Sequence, residues 1–328
     1  MIMTPQVSVL IPVFNVSKFI EKCAISVFEQ TFDNLEFIFV NDCTPDDSME
    51  KLQNIIEKYP NRKSQIKIIN HPTNKCISHT RNTLIFNASG KYVFFLDSDD
   101  YIEKNTIELL YNHAITESSD IVLCNIFREW KHGKTIHNIA YSQEPKEYLK
   151  MLLQGDSPGY SCAKLIKRDL FNSVQFPDDM RYLEDLCAIV RIVYIAEKIA
   201  KVEQTLYHYI QHNTLASSKK WNKEKWNDIV CALNNMTQFL EKKQDYSLFL
   251  KSIETWKLRM RITLPYHFPR KMYETIAKFL KTEQNDLFKI SMREKISLYL
   301  FDNKYYTLFI LYSSCYNFLY NTKKKIMG

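Results

Sequence analysis

Short apolar runs alternate with helix-like stretches along the first hundred residues of the chain. Four runs have the length and the β-branched or aromatic content of buried strands, at residues 7–14, 35–40, 66–70 and 91–96. Between them, apolar side chains recur at helical spacing, as in helices that cover a sheet. This β-α-β-α-β-α-β order with short connections predicts an α/β fold with a mostly parallel, Rossmann-like sheet flanked by helices.

Local signals mark the ends of these helices. Ser17 stands before the first helical stretch and is expected to cap it, and Asp46 to Ser48 stand before the second. Gly90 follows the third stretch, and we expect it to end that helix in a left-handed conformation.

Beyond the fourth strand, the pattern of apolar residues predicts further helices and strands. Helices are predicted at residues 103–117 and 146–153, strands at 120–127 and 201–212, and a hairpin-like turn at 131–134.

A change in composition marks a domain boundary. From about Trp221 the chain has only helical periods, rich in Lys, Glu and aromatic residues. We therefore predict two domains. Residues 1–220 would bind the ligand and carry the chemistry, and residues 221–328 would form an α-helical region for acceptor, homodimer or membrane-surface contact.

The charge balance and the cysteines narrow the class of protein. The net charge of +7 in 328 residues is a modest excess, and no nucleic-acid-binding motif occurs, so no nucleic acid is expected as a partner. The eight cysteines are scattered without a CxxC pair. The first residues also lack the basic region of a signal peptide, so a reducing cytoplasm is the expected location.

The end of the sequence has two interpretations. Residues 305–322 carry no charge and precede three consecutive lysines, Lys323 to Lys325. The stretch is shorter than the roughly 20 predominantly apolar residues of a bilayer span and is broken by Ser and Asn. It is therefore either a core or oligomer helix, or an interfacial helix that makes peripheral contact with the inner face of a membrane.

Polar residues follow three of the predicted strands. Asn15 follows the first strand, Asp42 the second, and the cluster Asp97-Ser98-Asp99-Asp100 the fourth. The carboxyl ends of parallel strands meet at one edge of a sheet, which is where such folds bind ligands. We therefore expect these residues to converge on one crevice.

The cluster at residues 97–100 is the main candidate for chemistry. Three carboxylates in four residues repel one another unless a cation or a donor compensates. Mg²⁺ or Mn²⁺ binds such oxygens through one or two carboxylates and substrate phosphates. A solvated turn is the alternative, with Asp100 as a helix cap. An EF-hand is excluded because Ile102 stands where its loop needs Gly. A haloacid-dehalogenase-type phosphatase would need Thr or Val at Tyr101, and no GxG supports a dinucleotide site.

Other candidates have two interpretations each. Asp42 is placed either to accept the imide N–H of a uracil or to form an Asx turn or a helix N-cap. Arg81 is placed to meet a pyrophosphate or to brace a carboxylate. Glu184-Asp185 begins an apolar helix, where one carboxylate suits a general base but acids are also common. His208 and His212 are secondary candidates for a metal or phosphate contact.

Taken together, these segments resemble the family 2 glycosyltransferases of GT-A fold. VSVLIPVFN, FIFVNDCTPDDS, NKCISHTRN, GKYVFFLDSDDYI, LEDLCAIVRI and YHYIQHNTLASS occur in that order over about residues 5–220. The resemblance implies an inverting enzyme of bacterial surface-polysaccharide biosynthesis. It would move a sugar from a nucleotide-sugar, a UDP-sugar, to a glycan or lipid-linked saccharide.

The resemblance also implies how the donor is bound. Pro12 and Phe14 would line the uracil and ribose site. Asp42 would hold the base, and Arg81 would face the nucleotide.

The acidic residues would receive the remaining roles. Asp97 and Ser98 would approach the ribose and pyrophosphate. Asp99, together with Asp97, would hold Mn²⁺ or Mg²⁺. Asp185 of the Glu184-Asp185 pair would be the general base, so the reaction would need no covalent intermediate.

Two departures and two competing functions remain. Cys43 and Cys76 stand where this family often has glycine, and without glycine the turn at Cys43 is expected to differ. A non-catalytic sugar-nucleotide-binding protein would bind a UDP-sugar without turnover. An Mg²⁺-dependent phosphate-ester hydrolase or nucleotidyltransferase would release phosphate or transfer a nucleotide.

Overall fold

The computed structural model describes residues 4–213, 221–282, 290–312 and 314. The chain divides into two compact units, Met1–Phe239 and Leu240–Gly328. The boundary predicted near residue 220 lies outside the described residues, so that division of the chain stays a prediction.

The described part of the first unit contains a nine-stranded sheet. Its strands are β1 (Val7–Val13), β2 (Leu35–Asn41), β3 (Ile66–Asn70), β4 (Tyr92–Phe95), β5 (Tyr101–Ile102), β6 (Ile121–Trp130), β7 (Gly133–His137), β8 (Lys164–Lys167) and β9 (Ile199–Ile210). They follow the order β3-β2-β1-β4-β8-β6-β9-β5, and β7 pairs with β6.

Helices connect these strands. They are α1 (Ile20–Phe28), α2 (Ser48–Ile56), α3 (Cys76–Asn87), α4 (Thr106–Glu117), α5 (Pro145–Gln154) and α6 (Glu184–Ile195), and α7 (Lys223–Glu241) follows the last strand. The predicted alternation of strands and helices is therefore confirmed.

The pairing of the strands explains the apolar runs. β3, β2, β1 and β4 are parallel neighbours, as predicted. All seven residues of β1 are buried, which is typical of a parallel strand with helices on both faces. Beyond β4 the sheet is mixed: β8 is antiparallel to β4 and to β6, whereas β9 is parallel to β6. The predicted hairpin is confirmed as β6 and β7.

Two expected helix ends are wrong. α1 begins at Ile20, and Ser17 instead accepts a hydrogen bond from Lys51 Nζ through its Oγ at 2.8 Å. Gly90 does not end α3, which stops at Asn87. A Cβ at Gly90 would lie 2.7 Å from the backbone nitrogen of Ser8, so glycine is needed there for close approach to β1.

The two cysteines at expected glycine positions adopt the backbone conformation that glycine favours. Cys43 has φ of 56° and Cys76 has φ of 67°, both in the left-handed region. The turns after β2 and before α3 thus keep that conformation without glycine. A side chain in this region carries a cost of about 1–2 kcal/mol relative to glycine.

Cys43→Gly is expected to raise the free energy of unfolding by up to about 1 kcal/mol, because the relieved backbone strain exceeds the entropy that glycine loses on folding. Cys43 is exposed, so little packing is lost. Urea denaturation followed by circular dichroism measures the difference. Cys43→Ala keeps the Cβ and is the matched control, expected to match the parent chain. A Cys43→Gly variant less stable than Cys43→Ala would contradict this account.

The second unit is helical where it is described. Its helices are α8 (Leu250–Thr263), α9 (Tyr273–Phe279) and α10 (Met292–Asp302). Ser291 caps α10 in a capping box with Glu294. The predicted tail helix over 305–322 is described only to 312 and at 314, and its lysine anchor lies outside the described residues. In the ranges that can be described, every helix is too short or too polar to traverse a bilayer.

Candidate active site

A cavity of about 460 Å³ lies at the carboxyl ends of β1, β2 and β4. This volume is typical of a small-molecule site. The residues predicted for the donor, the metal and the base all line it: Pro12, Phe14, Asp42, Arg81, Asp97, Ser98, Asp99, Glu184 and Asp185. The expected convergence on one crevice is therefore found, while the individual roles of these residues stay predictions.

Asp42 lies at the end of β2 and is held by groups from the loop after β3. Its Oδ1 accepts a hydrogen bond from the backbone N–H of Lys75 at 2.8 Å and lies 2.8 Å from His71 Nδ1. The other His71 nitrogen lies 3.0 Å from Thr83 Oγ1. His71 is not among the predicted site residues, although its place directly after the third strand is a signal in the sequence. Phe14 is 45% exposed on the same cavity wall, which leaves its ring free to contact a planar ligand.

Arg81 on α3 joins three carboxylates at the cavity wall. Its Nη1 donates to Glu184 Oε1 and Asp185 Oδ1, and its Nη2 donates to Asp97 Oδ1 at 3.1 Å. The side chain is almost completely buried, so these charge-assisted bonds are little weakened by water. Arg81 therefore braces carboxylates, one of its two expected uses, and its contact with a nucleotide stays a prediction.

Three acidic side chains of this wall, Glu184, Asp97 and Asp99, have a raised pKa. Burial raises the pKa of Glu184 to about 7, assisted by Asp185 and opposed by Arg81. Burial likewise raises the pKa of Asp97 to about 6, again opposed by Arg81. It also raises the pKa of Asp99. The shared cause is desolvation of more carboxylates than one guanidinium neutralises, so the cavity favours an additional cation.

Asp97 and Asp99 fit a divalent cation that is shared with a ligand. Among the described residues, no group of three or more His, Cys, Asp or Glu is arranged to hold a metal by itself. Mg²⁺ and Mn²⁺ need only one or two carboxylates where substrate phosphates complete the coordination. Asp99 Oδ2 accepts a hydrogen bond from Asn213 Nδ2 at 2.8 Å, which orients this carboxylate at the cavity wall.

Asp100 has a different role from the one expected. It does not cap the following helix, since α4 begins at Thr106. Its Oδ1 accepts the backbone N–H of Ile210 and its Oδ2 accepts the Tyr207 hydroxyl, both at 2.7 Å. The carboxyl group is buried, and burial raises its pKa well above the usual range. Asp100 therefore ties the end of β4 to β9.

Neither of the histidine candidates lines the cavity. His208 is stacked between Tyr101 and Phe127, with ring centroids 4.0 and 4.7 Å apart. Its two ring nitrogens lie 2.7 Å from Glu129 Oε1 and 2.9 Å from Glu103 Oε1. This pairing accounts for His208 as a structural residue. The ring of His212 lies 5.8 Å from that of Phe19.

Asp185 lies in the first turn of α6 and is fixed by Ser161, which is not among the predicted site residues. Ser161 Oγ donates to Asp185 Oδ1 at 3.0 Å, and the Ser161 backbone N–H donates to Oδ2 at 3.2 Å. No local pattern in the sequence predicts this contact, because the two residues come from separate elements. With Arg81 also on Oδ1, the carboxylate is held from two sides while it faces the cavity.

An α/β sheet with a carboxylate-rich cavity at the carboxyl ends of its strands is the architecture of a nucleotide-binding enzyme. The model of the family described as "Glycosyl transferase family 2" matches residues 8–174. The protein named as the glycosyltransferase EpsH of Bacillus subtilis (strain 168) is 32% identical over 262 residues, 77% of this chain and 74% of EpsH. This chain belongs to the family 2 glycosyltransferases.

Solved structures agree with this assignment at the level of the fold. Staphylococcus aureus TarS 1–349 in complex with UDP-GlcNAc has a TM-score of 0.74 at 18% identity, over 95% of this chain and 91% of that one. The mannosyltransferase PcManGT from Pyrobaculum calidifontis, in complex with GDP-Man and Mn²⁺, has a TM-score of 0.53 at 13% identity, over 97% and 88% of the two chains. The expected GT-A fold with a helical C-terminal region is confirmed.

Proposed function

We propose that this glycosyltransferase moves a sugar from a UDP-sugar to a hydroxyl of a glycan or lipid-linked saccharide, with inversion at the anomeric carbon. The observation that carries the proposal is the cavity in which Phe14, Asp42, Asp97 and Asp185 meet. Phe14 and Asp42 suit a nucleoside. Asp97 suits a diphosphate with its cation, and Asp185 suits the acceptor hydroxyl.

The donor end has the chemistry of a uridine site. Phe14 offers an exposed ring for the base, and Pro12 lies beside it on the cavity wall. Asp42 is oriented by the Lys75 N–H, so its carboxylate is placed to accept the uracil imide N–H. Arg81 and Ser98 complete the wall toward the diphosphate. The UDP-GlcNAc bound to TarS, which has the same fold, supports this choice of nucleotide.

The proposed reaction is a single displacement. Asp185 accepts the proton of the acceptor hydroxyl, and that oxygen forms a bond to C1 of the sugar as the bond from C1 to the diphosphate oxygen breaks. Glu184 shares Arg81 with Asp185 and thereby holds the pair in place. No covalent sugar–enzyme intermediate is required.

Asp99 and Asp97 would hold Mn²⁺ or Mg²⁺. The bound ion would neutralise negative charge on the departing diphosphate. Three observations support a divalent cation here. The pKa values of Asp97 and Asp99 are raised, both carboxylates offer the oxygen ligands that such ions prefer, and PcManGT is in complex with Mn²⁺.

Asp99→Ala is expected to remove the metal dependence of UDP binding, because it deletes a carboxylate ligand at the diphosphate. Isothermal titration of UDP should show at least about tenfold tighter binding with Mn²⁺ than with EDTA in the parent chain, and no such gain in the variant. Asp156→Ala, which removes an acid that does not line the cavity, should keep the gain. Equal affinity with and without Mn²⁺ in the parent would remove the metal from the proposal.

We also place the enzyme at the cytoplasmic face of the membrane, in bacterial surface-polysaccharide synthesis. The setting is supported by the similarity to the minor teichoic acid biosynthesis protein GgaB of Bacillus subtilis (strain 168), 28% identical over 215 residues. It is also supported by the free thiols among the described cysteines and by the uncharged tail followed by three lysines. The helical region after residue 220 is then the part available for acceptor, membrane or homodimer contact.

The donor is tested with a panel of UDP-glucose, UDP-galactose and their N-acetylamino forms, each supplied with Mn²⁺. The proposal predicts release of intact UDP from one of them. Release of phosphate or UMP would favour the hydrolase or nucleotidyltransferase. Tight binding of a UDP-sugar without UDP release, in the presence of saccharide acceptors, would favour a binding protein.

A further inference from the structure

We propose that Ser161 and Lys164 are positioning residues that fix the Asp185 carboxylate for its reaction with the acceptor. The inference rests on the proposed role of Asp185 as general base. It adds two residues that no motif of the sequence singles out, Ser161 in the segment between α5 and β8 and Lys164 at the start of β8.

Ser161 determines which way the Asp185 carboxylate points. It donates twice, from Oγ to Oδ1 at 3.0 Å and from its backbone N–H to Oδ2 at 3.2 Å. The Ser161 side chain is completely buried, so water does not compete for these bonds. Arg81 and Ser161 Oγ both occupy Oδ1, whereas among the described residues Oδ2 receives the longer backbone bond alone. Oδ2 is therefore the oxygen placed to accept the acceptor proton.

Lys164 holds the backbone from which Ser161 donates. Its Nζ donates to the carbonyl oxygen of Tyr160 at 2.6 Å, four residues back along the chain. That carbonyl and the Ser161 N–H belong to the same peptide unit, which is planar, so fixing one end orients the other. Tyr160 also lines the cavity, so this peptide lies at its wall.

The burial of Lys164 is otherwise unexplained. The residue is only 2% exposed at the start of β8, and burial lowers the pKa of its ammonium group. Burying a lysine is unfavourable compared with burying an apolar side chain of similar size. Unlike an apolar residue, Lys164 donates to the Tyr160 carbonyl and places a positive charge near Asp185.

Ser161→Ala removes one donor from Asp185 and leaves the backbone bond. We expect kcat for UDP release to fall about tenfold, because a hydrogen bond to a charged group is lost, while KM for the UDP-sugar stays within about twofold. The acid limb of the pH–rate profile should move to higher pH, because the carboxylate loses a donor that favours its charged form. Unchanged kcat and an unchanged acid limb would overturn the role of Ser161.

Ser157→Ala is the matched control for this variant. Ser157 is buried in the same segment, but its Oγ bonds the Tyr148 hydroxyl at 3.4 Å instead of the cavity. Its kcat and acid limb should equal those of the parent chain. A loss as large as that of Ser161→Ala would make the effect a general disturbance of the segment and would overturn the proposal.

Lys164→Met tests the second half of the proposal. Methionine fills the same space without a donor, so the melting temperature should be at or above that of the parent, while kcat falls about tenfold. Lys201→Met is its control, since Lys201 is a buried lysine paired with Glu203 at 2.7 Å outside the cavity. Parent kcat in Lys164→Met would overturn the role of Lys164. If that variant does not fold, Ser161→Ala, which removes a single atom, decides the proposal.

These outcomes are separable from failure of the proposed function. If Asp185→Asn retains turnover, the base itself is wrongly assigned. If Asp185→Asn abolishes turnover while Ser161→Ala and Lys164→Met match the parent, the base stands and only the positioning proposal fails.

Discussion

Asp185→Asn is expected to bind UDP with the affinity of the parent chain and to lose turnover by about 10²- to 10⁴-fold. The amide keeps the size of the side chain but no longer accepts a proton from the acceptor hydroxyl. Asp185 lines the cavity at the start of α6, whereas the nucleoside end contains Phe14 and Asp42, so donor binding should be spared. Isothermal titration gives the affinity, and UDP release from the selected UDP-sugar gives the turnover.

The competing explanation for Asp185 is that it only stabilises the first turn of its helix. Glu147→Gln is the matched control, because Glu147 lies in the first turn of α5 and does not line the cavity. Each of the two variants removes one acidic side chain from the first turn of a helix. Only Asp185→Asn should lose turnover, and normal turnover in that variant would remove Asp185 as the base.

Arg81→Met is expected to lower the free energy of unfolding by about 3–5 kcal/mol, the usual consequence of leaving buried charges without their partner. Arg81 is the guanidinium that Glu184, Asp185 and Asp97 share, and it is almost completely buried. Without it, these carboxylates must take up protons or admit water. Urea denaturation at pH 7 measures the loss, and turnover should fall with it because Asp185 loses a donor.

Two further variants show whether the charge network causes the effect. Arg191→Met removes a partly buried arginine whose Nη2 donates to a neutral amide oxygen, Asn235 Oδ1 at 2.8 Å, and should lose about 1 kcal/mol. Adding Glu184→Gln to Arg81→Met removes one of the uncompensated carboxylates and should recover part of the stability. Arg81→Met losing no more than Arg191→Met would contradict the network.

The fold was predictable from the sequence where local patterns determine it. β1, β2, β3 and β4 are mainly apolar runs, and helices between them require parallel pairing, so their carboxyl ends meet. This is why Asp42 and the cluster at residues 97–100 were expected in one crevice. The mixed half of the sheet was not predicted, because β8 and β9 join it through pairings between distant parts of the chain.

The partners of the site residues were less predictable than the residues themselves. Spacing marks Asp185 as a candidate but does not indicate that Ser161 and Arg81 hold it, since both contacts join separate elements. The helix cap considered for Asp100 is wrong for the same reason. Both of its carboxylate oxygens accept hydrogen bonds from β9, more than a hundred positions later. Local sequence therefore predicts where acidic groups lie, while the fold determines which of them are already paired.

The most direct test of the central claim follows the sugar itself. The parent chain and Asp185→Asn are incubated with Mn²⁺, a saccharide acceptor and the UDP-sugar from which the parent chain releases UDP. The anomeric configuration of the product is determined by proton NMR. We predict that the parent forms a glycoside of opposite anomeric configuration to the donor together with one equivalent of intact UDP, and that Asp185→Asn forms neither at a comparable rate. Retained configuration, release of phosphate or UMP, or equal rates in the two proteins would contradict the account.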